Sequence, residues 1–176
     1  MEVNEGKEST SGGSSKGYAV DMAIAALESA GSENAIVEAG SDVRIMGRRS
    51  DDESWRIAIR NPRDSSDYLA RLAIPDRAVV TSGDYERYFD AAREYHHIID
   101  PSTGRSATEL ISVTLIADTA FEADALSTAV FVLGPIEGLA FIEAMDRVEA
   151  LFITRSRRVI RSTGFEEYEL EPTLVR

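Results

Sequence analysis

Two oxygen-bearing side chains, Asp124 and Thr128, stand four residues apart in a segment that is otherwise apolar: Phe121, Ala125, Leu126, Ala129, Val130, Phe131 and Val132. In an α-helix this spacing projects both oxygens from one face. A carboxylate on such a face is costly to bury unless a positive charge meets it. A hard cation such as Mg²⁺ would do so, taking oxygen ligands from protein and phosphate together. The structural alternative is an aspartate meeting a helix dipole and a threonine bonding back to a carbonyl. Spacing alone favours that alternative.

The only two histidines are adjacent, in Tyr95-His96-His97-Ile98-Ile99-Asp100-Pro101. Strand alternation puts them on opposite faces, so one can face a cleft while the other meets solvent or the core. An imidazole beside an aspartate, titrating near neutrality, can serve as a general base or a stacking partner. A structural histidine fits the same residues equally well, and neighbours on a regular strand are poorly placed to share a zinc ion. Thr81-Ser82-Gly83-Asp84-Tyr85 sets small donors and a glycine after a strand. Such a turn can offer N–H groups to a phosphate, or cap a helix over residues 85–89. Gly12-Gly13-Ser14-Ser15-Lys16-Gly17 precedes a helix, a place that suits an anionic phosphate. It lacks the spacing of a P-loop or a dinucleotide fingerprint.

The elements that must position these residues follow from pattern. Met1 to Ser15 is polar and Gly/Ser-rich, so the first dozen residues are expected to be mobile. Val20, Ala23, Ile24 and Leu27 form one stripe of a helix over 18–29, with Gly31 as its stop. Short strands are expected over 35–38 and 43–46 around Gly40-Ser41-Asp42, and over 55–60 up to Asn61-Pro62. Segments 69–74 and 77–81 are expected to pair as a hairpin across Pro75-Asp76, with further strands over 94–99 and 111–116. Asp100 to Gly104 reads as a turn. Helices are expected over 119–133 and 135–145, broken at Gly134-Pro135, before a hairpin of 151–154 and 159–161. Strands and helices mix without a βαβ repeat, which predicts an α+β domain.

Composition narrows the classes of function. The 176 residues, 43% apolar and 28% charged, suit one globular domain. A net charge of −12 is the wrong sign for displacing counterions from nucleic acid. There is no cysteine, hence no disulfide, thiolate metal site or cysteine nucleophile. No apolar run long enough to cross a bilayer is read, nor a signal peptide or lipid-bearing cysteine, so a cytoplasmic location is expected for the chain as it stands.

Taken together, these segments resemble the ApbE family of FAD:protein FMN transferases. Lys16-Gly17-Tyr18-Ala19-Val20-Asp21 is similar to its KGYAVD box, and Val80-Thr81-Ser82-Gly83-Asp84-Tyr85 to its TSGDY segment. His97 to Gly104 resembles its H-x-I-D-P-x-T-G motif, and Ser112-Val113-Thr114 with Glu122 to Ala129 its final VTV…ADALATA helix. All four stand in the family's order, from about Gly12 to the C-terminus, with residues 1–11 as a polar leader.

The resemblance implies a T-fold-like α+β domain that moves FMN from FAD to a threonine or serine of an acceptor flavoprotein, releasing AMP and requiring Mg²⁺. It implies Asp124, Thr128 and the backbone carbonyl of Ser15 as metal ligands, and His97 as the catalytic or flavin-contacting residue. It also implies Thr81, Ser82 and Gly83 as the lining of the flavin pocket, with Lys16, Tyr18, Asp21 and Asp100 among the FAD-binding residues. Thr10 to Ser15 departs from the D-L-G-G-I-A usual before the first box, and Gly40-Ser41-Asp42 stands for the usual G-G-D. Family members also carry an N-terminal half that contributes to the FAD site. The alternative reading is therefore a catalytically impaired FAD-binding module, or a part that needs a separate N-terminal half, with self-association through surface that half would cover.

Overall fold

A computed structural model describes residues 14–51, 53–90 and 95–170. The polar leader and Gly12-Gly13 lie outside the described residues. The elements are α1 (Ser15–Ser29), β1 (Ala35–Ala39), β2 (Asp42–Met46), β3 (Trp55–Asn61), β4 (Asp64–Ile74), β5 (Ala78–Gly83), β6 (Ile99–Asp100), β7 (Arg105–Ser106), β8 (Leu110–Ala117), α2 (Ala120–Glu143), β9 (Glu149–Thr154) and β10 (Val159–Arg161). A short 3-10 turn, Phe165–Tyr168, follows. The class is α+β, as expected.

Pleating sorts the side chains into three layers. Six strands pair antiparallel in the order β1-β2-β5-β8-β9-β10. On one face Val80, Val113, Leu115, Ala150 and Phe152 pack against Val20 of α1 and Ala123, Val130 and Phe131 of α2. On the other face Ile45, Val79, Ile116 and Leu151 pack against Ile59, Leu72 and Ile74 of the β3–β4 hairpin and against Phe165. Strand β8 is buried along its whole length because both of its faces are covered.

The expected hairpin of 69–74 with 77–81 does not form. Strand β4 pairs instead with β3, across the turn in which the Asn61 side chain accepts the Arg63 N–H at 3.0 Å. Strand β5 lies in the other sheet, between β2 and β8. Pro75-Asp76 thus carries the chain from one layer to the next. Both strands are apolar because each is buried, and burial alone does not say against which partner. The expected strand over 94–99 is also reduced, with 94 outside the described residues: only a bridge of Tyr88 with His96 and the two-residue β6 are present. Apart from the Tyr88 bridge, residues 85–89 are turn and bend rather than a capped helix.

The two helices expected around Gly134-Pro135 run as one element, broken by Gly134 at φ 78° and ψ −178°. A Cβ there would approach the Glu109 carboxylate at 3.3 Å. At 24 residues, and with an 18-residue stretch of high hydropathy, α2 is long and apolar enough to cross a membrane by those measures alone, which the reading in two pieces missed. Here it packs along β5, β8 and β9.

Candidate functional site

The site begins where α1 and α2 cross. Gly17 lies so close to α2 that a Cβ would stand 2.2 Å from the Ala120 carbonyl oxygen and 2.8 Å from the Asp124 Cβ. That approach lets each helix cap the other. The Gly17 N–H donates to Asp124 Oδ2 at 2.9 Å. In return Asp21 on α1 accepts from the Ala120 and Phe121 N–H groups at 2.9 and 2.8 Å. Free N–H groups at a helix start favour a facing carboxylate, so each aspartate also meets the positive end of the opposite helix. Thr119 completes the start of α2 by accepting from the Glu122 N–H at 3.2 Å.

Beside this crossing, β2 brings in a carboxylate that the sequence reading did not select. Asp42 pairs with Val80 in the sheet and so shares its helix-facing side. Asp42 is wholly buried. The Lys16 ammonium donates to its Oδ1 at 2.5 Å and to the Ser41 hydroxyl at 3.3 Å. Its Oδ2 is buried without a hydrogen-bond partner among the described residues. Burial above all pushes Asp42 up to about 6; Lys16 pulls it down, while the facing Asp124 carboxyl adds to the rise. Two buried carboxyls therefore face each other, and the ammonium beside them pairs with Asp42. Its signals were a turn aspartate opening a strand and the likeness of Gly40-Ser41-Asp42 to a G-G-D turn, and neither revealed the partners, which lie on α1 and α2.

Next to Asp124 the surface is lined with hydroxyls. Ser82, two residues beyond Val80 on β5, shares a hydrogen bond with Ser127 at 2.8 Å and a longer one with Thr128 at 3.4 Å. The Thr128 hydroxyl also donates to the Asp124 carbonyl at 3.4 Å, the back-bonding that the spacing allowed. Thr81 points to the opposite side of the sheet, where it bonds Thr114 at 2.8 Å. Gly83 is hemmed in by Tyr85, whose ring would lie 2.3 Å from a Cβ there. Ser15 is the first residue of α1 and exposed, its carbonyl directed along the helix. Tyr18 is exposed, with its ring edge-on to Phe121 at 6.4 Å.

The histidines do take opposite sides, although no regular strand holds them. His96 is fully buried, edge-on to Phe131 at 5.7 Å, with Nε2 2.8 Å from the Ala107 carbonyl. Burial lowers its pKa. His97 is exposed, its Nδ1 3.2 Å from the Arg87 carbonyl. Asp100 builds its own turn: its carboxylate accepts from the Ser102 N–H and hydroxyl at 2.8 and 2.7 Å, and from the Thr103 hydroxyl at 3.1 Å. The Ser102 contacts hold its pKa below the ordinary value. An open cleft of about 800 Å³ follows, lined by Tyr95, Asp100, Arg105, Glu109, Phe131 and Arg155 among others. Phe131 lies seven residues beyond Asp124, or about 10 Å along the helix. Helix α2 thus carries a polar, acidic end and a cleft with charged walls. Among the described residues no group of three or more His, Asp or Glu side chains could hold a metal.

One further group escaped the sequence. Asp84 is wholly buried and receives both Arg63 guanidinium nitrogens, at 2.7 and 2.5 Å, with Arg155 at 3.9 Å. This ties the β3–β4 turn to the end of β5.

Comparison with known proteins identifies the family. The ApbE family model matches residues 4–152. An FAD:protein FMN transferase of Vibrio cholerae is 39% identical over 157 residues, which span 87% of this chain and 45% of that protein. One from Treponema pallidum is 37% identical over 165 residues, with the same coverage of 87% and 45%. Among solved structures, an ApbE protein from Thermotoga maritima superposes with a TM-score of 0.84 at 41% identity, covering 91% of this chain and 53% of that one. A flavin transferase ApbE from Vibrio cholerae gives 0.74 at 34% identity, covering 87% and 50%. The chain spans about half the length of these relatives. With the family model matching most of its length and the fold superposing on solved members, this chain belongs to the ApbE family.

Proposed function

We propose that this chain serves in Mg²⁺-dependent transfer of FMN from FAD to a threonine or serine of an acceptor flavoprotein. In that step the acceptor hydroxyl oxygen bonds to the FMN phosphorus and the diphosphate bond to AMP breaks. AMP leaves with the electron pair, and the hydroxyl proton passes to a base.

The observation that carries this reading is the cluster of Lys16, Ser82, Asp124 and Thr128 at the helix crossing, with the unpartnered Asp42 oxygen beside it. The donor set fits Mg²⁺: all oxygen, and few in number, as suits an ion that keeps waters and takes the rest of its ligands from substrate phosphates. Asp124 and Thr128 would hold it, with the Ser15 carbonyl as the further expected ligand. Once bound, the ion would offset charge gathering on the leaving AMP. Lys16 is half exposed and can turn toward a phosphate. His97 would take the acceptor proton: with Nδ1 donating to the Arg87 carbonyl, Nε2 carries the lone pair.

A second reading rests on the share of the relatives that the chain spans: it holds FAD but needs further chain to turn it over. Incubation with FAD, Mg²⁺ and a threonine-bearing acceptor peptide, read by the mass gain of FMN, separates the two. Transfer that stops on chelation and in Asp124→Asn supports the first reading. Asparagine keeps an oxygen for the Gly17 N–H, so the fold survives the change. FAD binding without transfer supports the second. Equal FAD affinity with and without Mg²⁺ would sink the metal assignment. His97→Ala should lower transfer far more than it lowers stability, and His96→Ala the reverse.

A further inference from the structure

We infer that Asp42 is a direct ligand of the cation, and that Lys16 is the counter-ion that competes with the cation for this carboxylate. This deepens the metal reading proposed for Asp124 and Thr128 and rests on it.

Three observations converge. Asp42 comes from a different element than Asp124, yet both carboxyls are buried and face each other at the helix crossing. Asp42 spends only one oxygen on Lys16 and Ser41, leaving Oδ2 buried with no partner among the described residues. A buried carboxylate oxygen without a donor is costly, and native structures seldom keep one without a use. A cation set between the two carboxyls would satisfy it. Lastly, the charge paired with Asp42 is one ammonium, on a side chain half exposed to solvent. A strongly hydrated point charge on a flexible stem can withdraw at small cost. Asp124 is held differently, since its Oδ2 accepts from the Gly17 N–H.

The assignment divides the labour. Asp124 and Thr128 lie on one helix and fix where the ion sits. Asp42, from the sheet, closes the site across the layer boundary and doubles its negative charge. Lys16, paired with Asp42, competes with the ion for that carboxylate. An ion on Asp42 frees Lys16 to meet a phosphate of the nucleotide, so metal binding and phosphate binding are coupled through one side chain.

The test is Mn²⁺ titrated into the chain without nucleotide, followed by calorimetry and by loss of the free-ion electron paramagnetic resonance signal. Binding should weaken at least roughly tenfold in Asp42→Asn as well as in Asp124→Asn. It should tighten in Lys16→Met, where the competing charge is gone. Thermal unfolding without metal checks that each variant is folded, and Lys16→Met reads the same site without touching a carboxylate. If Asp124→Asn weakens Mn²⁺ but Asp42→Asn binds as the wild type does, Asp42 only shares a proton with Asp124 and the inference fails. If Lys16→Met leaves affinity unchanged, Lys16 is not the counter-ion. If wild type and Asp124→Asn bind alike, the underlying metal site is wrong and this inference falls with it.

Discussion

Gly17 leaves no room for a side chain, and the whole candidate site depends on that. A methyl group there would have to displace backbone of α2 rather than a flexible side-chain end. Overpacking of this kind costs about 1–3 kcal/mol, and more where backbone must move. Gly17→Ala should therefore lower the urea midpoint clearly and weaken metal and FAD binding together; Gly31→Ala, where a Cβ meets nothing but φ is +90°, should cost less and spare binding. At this scale the sequence was half legible. Asp124 and Thr128 could be paired from spacing because a helix sets their geometry locally. Asp42, Asp21 and Asp84 could not, because each draws its role from partners about 20 to 100 residues away. Of the two roles weighed for Asp124, the helix-dipole one is present in altered form: its oxygen does meet a helix start, but the helix is α1, not its own.

Elements were legible where local chemistry decides them. The start of β2 after Gly40, the break at Gly134 and the β9–β10 hairpin all follow from turn residues and alternation. Pairing across Pro75-Asp76 was misread because partner choice among buried strands is set by the sheet as a whole, with β5 required between β2 and β8. The start of α2 shows how one element depends on another. Its first two N–H groups are satisfied by Asp21 of α1 rather than by a residue of its own. Loss of a cap costs about 0.5–2 kcal/mol, and here two donors are orphaned at once. Asp21→Ala should lower stability by about 2 kcal/mol in chemical denaturation. Asp21→Asn, which keeps one acceptor, should recover about half of that.

At the scale of the molecule, three layers leave one side of α2 uncovered. Phe121, Leu133, Ile136 and Phe141 are exposed on it, with Ile136 at 82%, and Tyr18 and Met22 of α1 are exposed as well. Apolar surface of this extent tends to find a partner. We propose that the chain self-associates through it: light scattering should give a mass that rises with concentration, and Ile136→Glu should return it to the monomer without loss of thermal stability. The reciprocal caps have a further consequence, in time rather than in energy. Gly17 and Asp124 lie 107 residues apart, and Asp21 and Ala120 lie 99 apart. The chain between these contacts includes four strands of the central sheet, so both helix starts are expected to be completed late and together. The amide hydrogens of Gly17, Ala120 and Phe121 should then exchange with solvent deuterium at a common rate, set by undocking of the two helices and not by fraying of either. A bound divalent ion that joins α2 to the sheet would slow all three by the same factor.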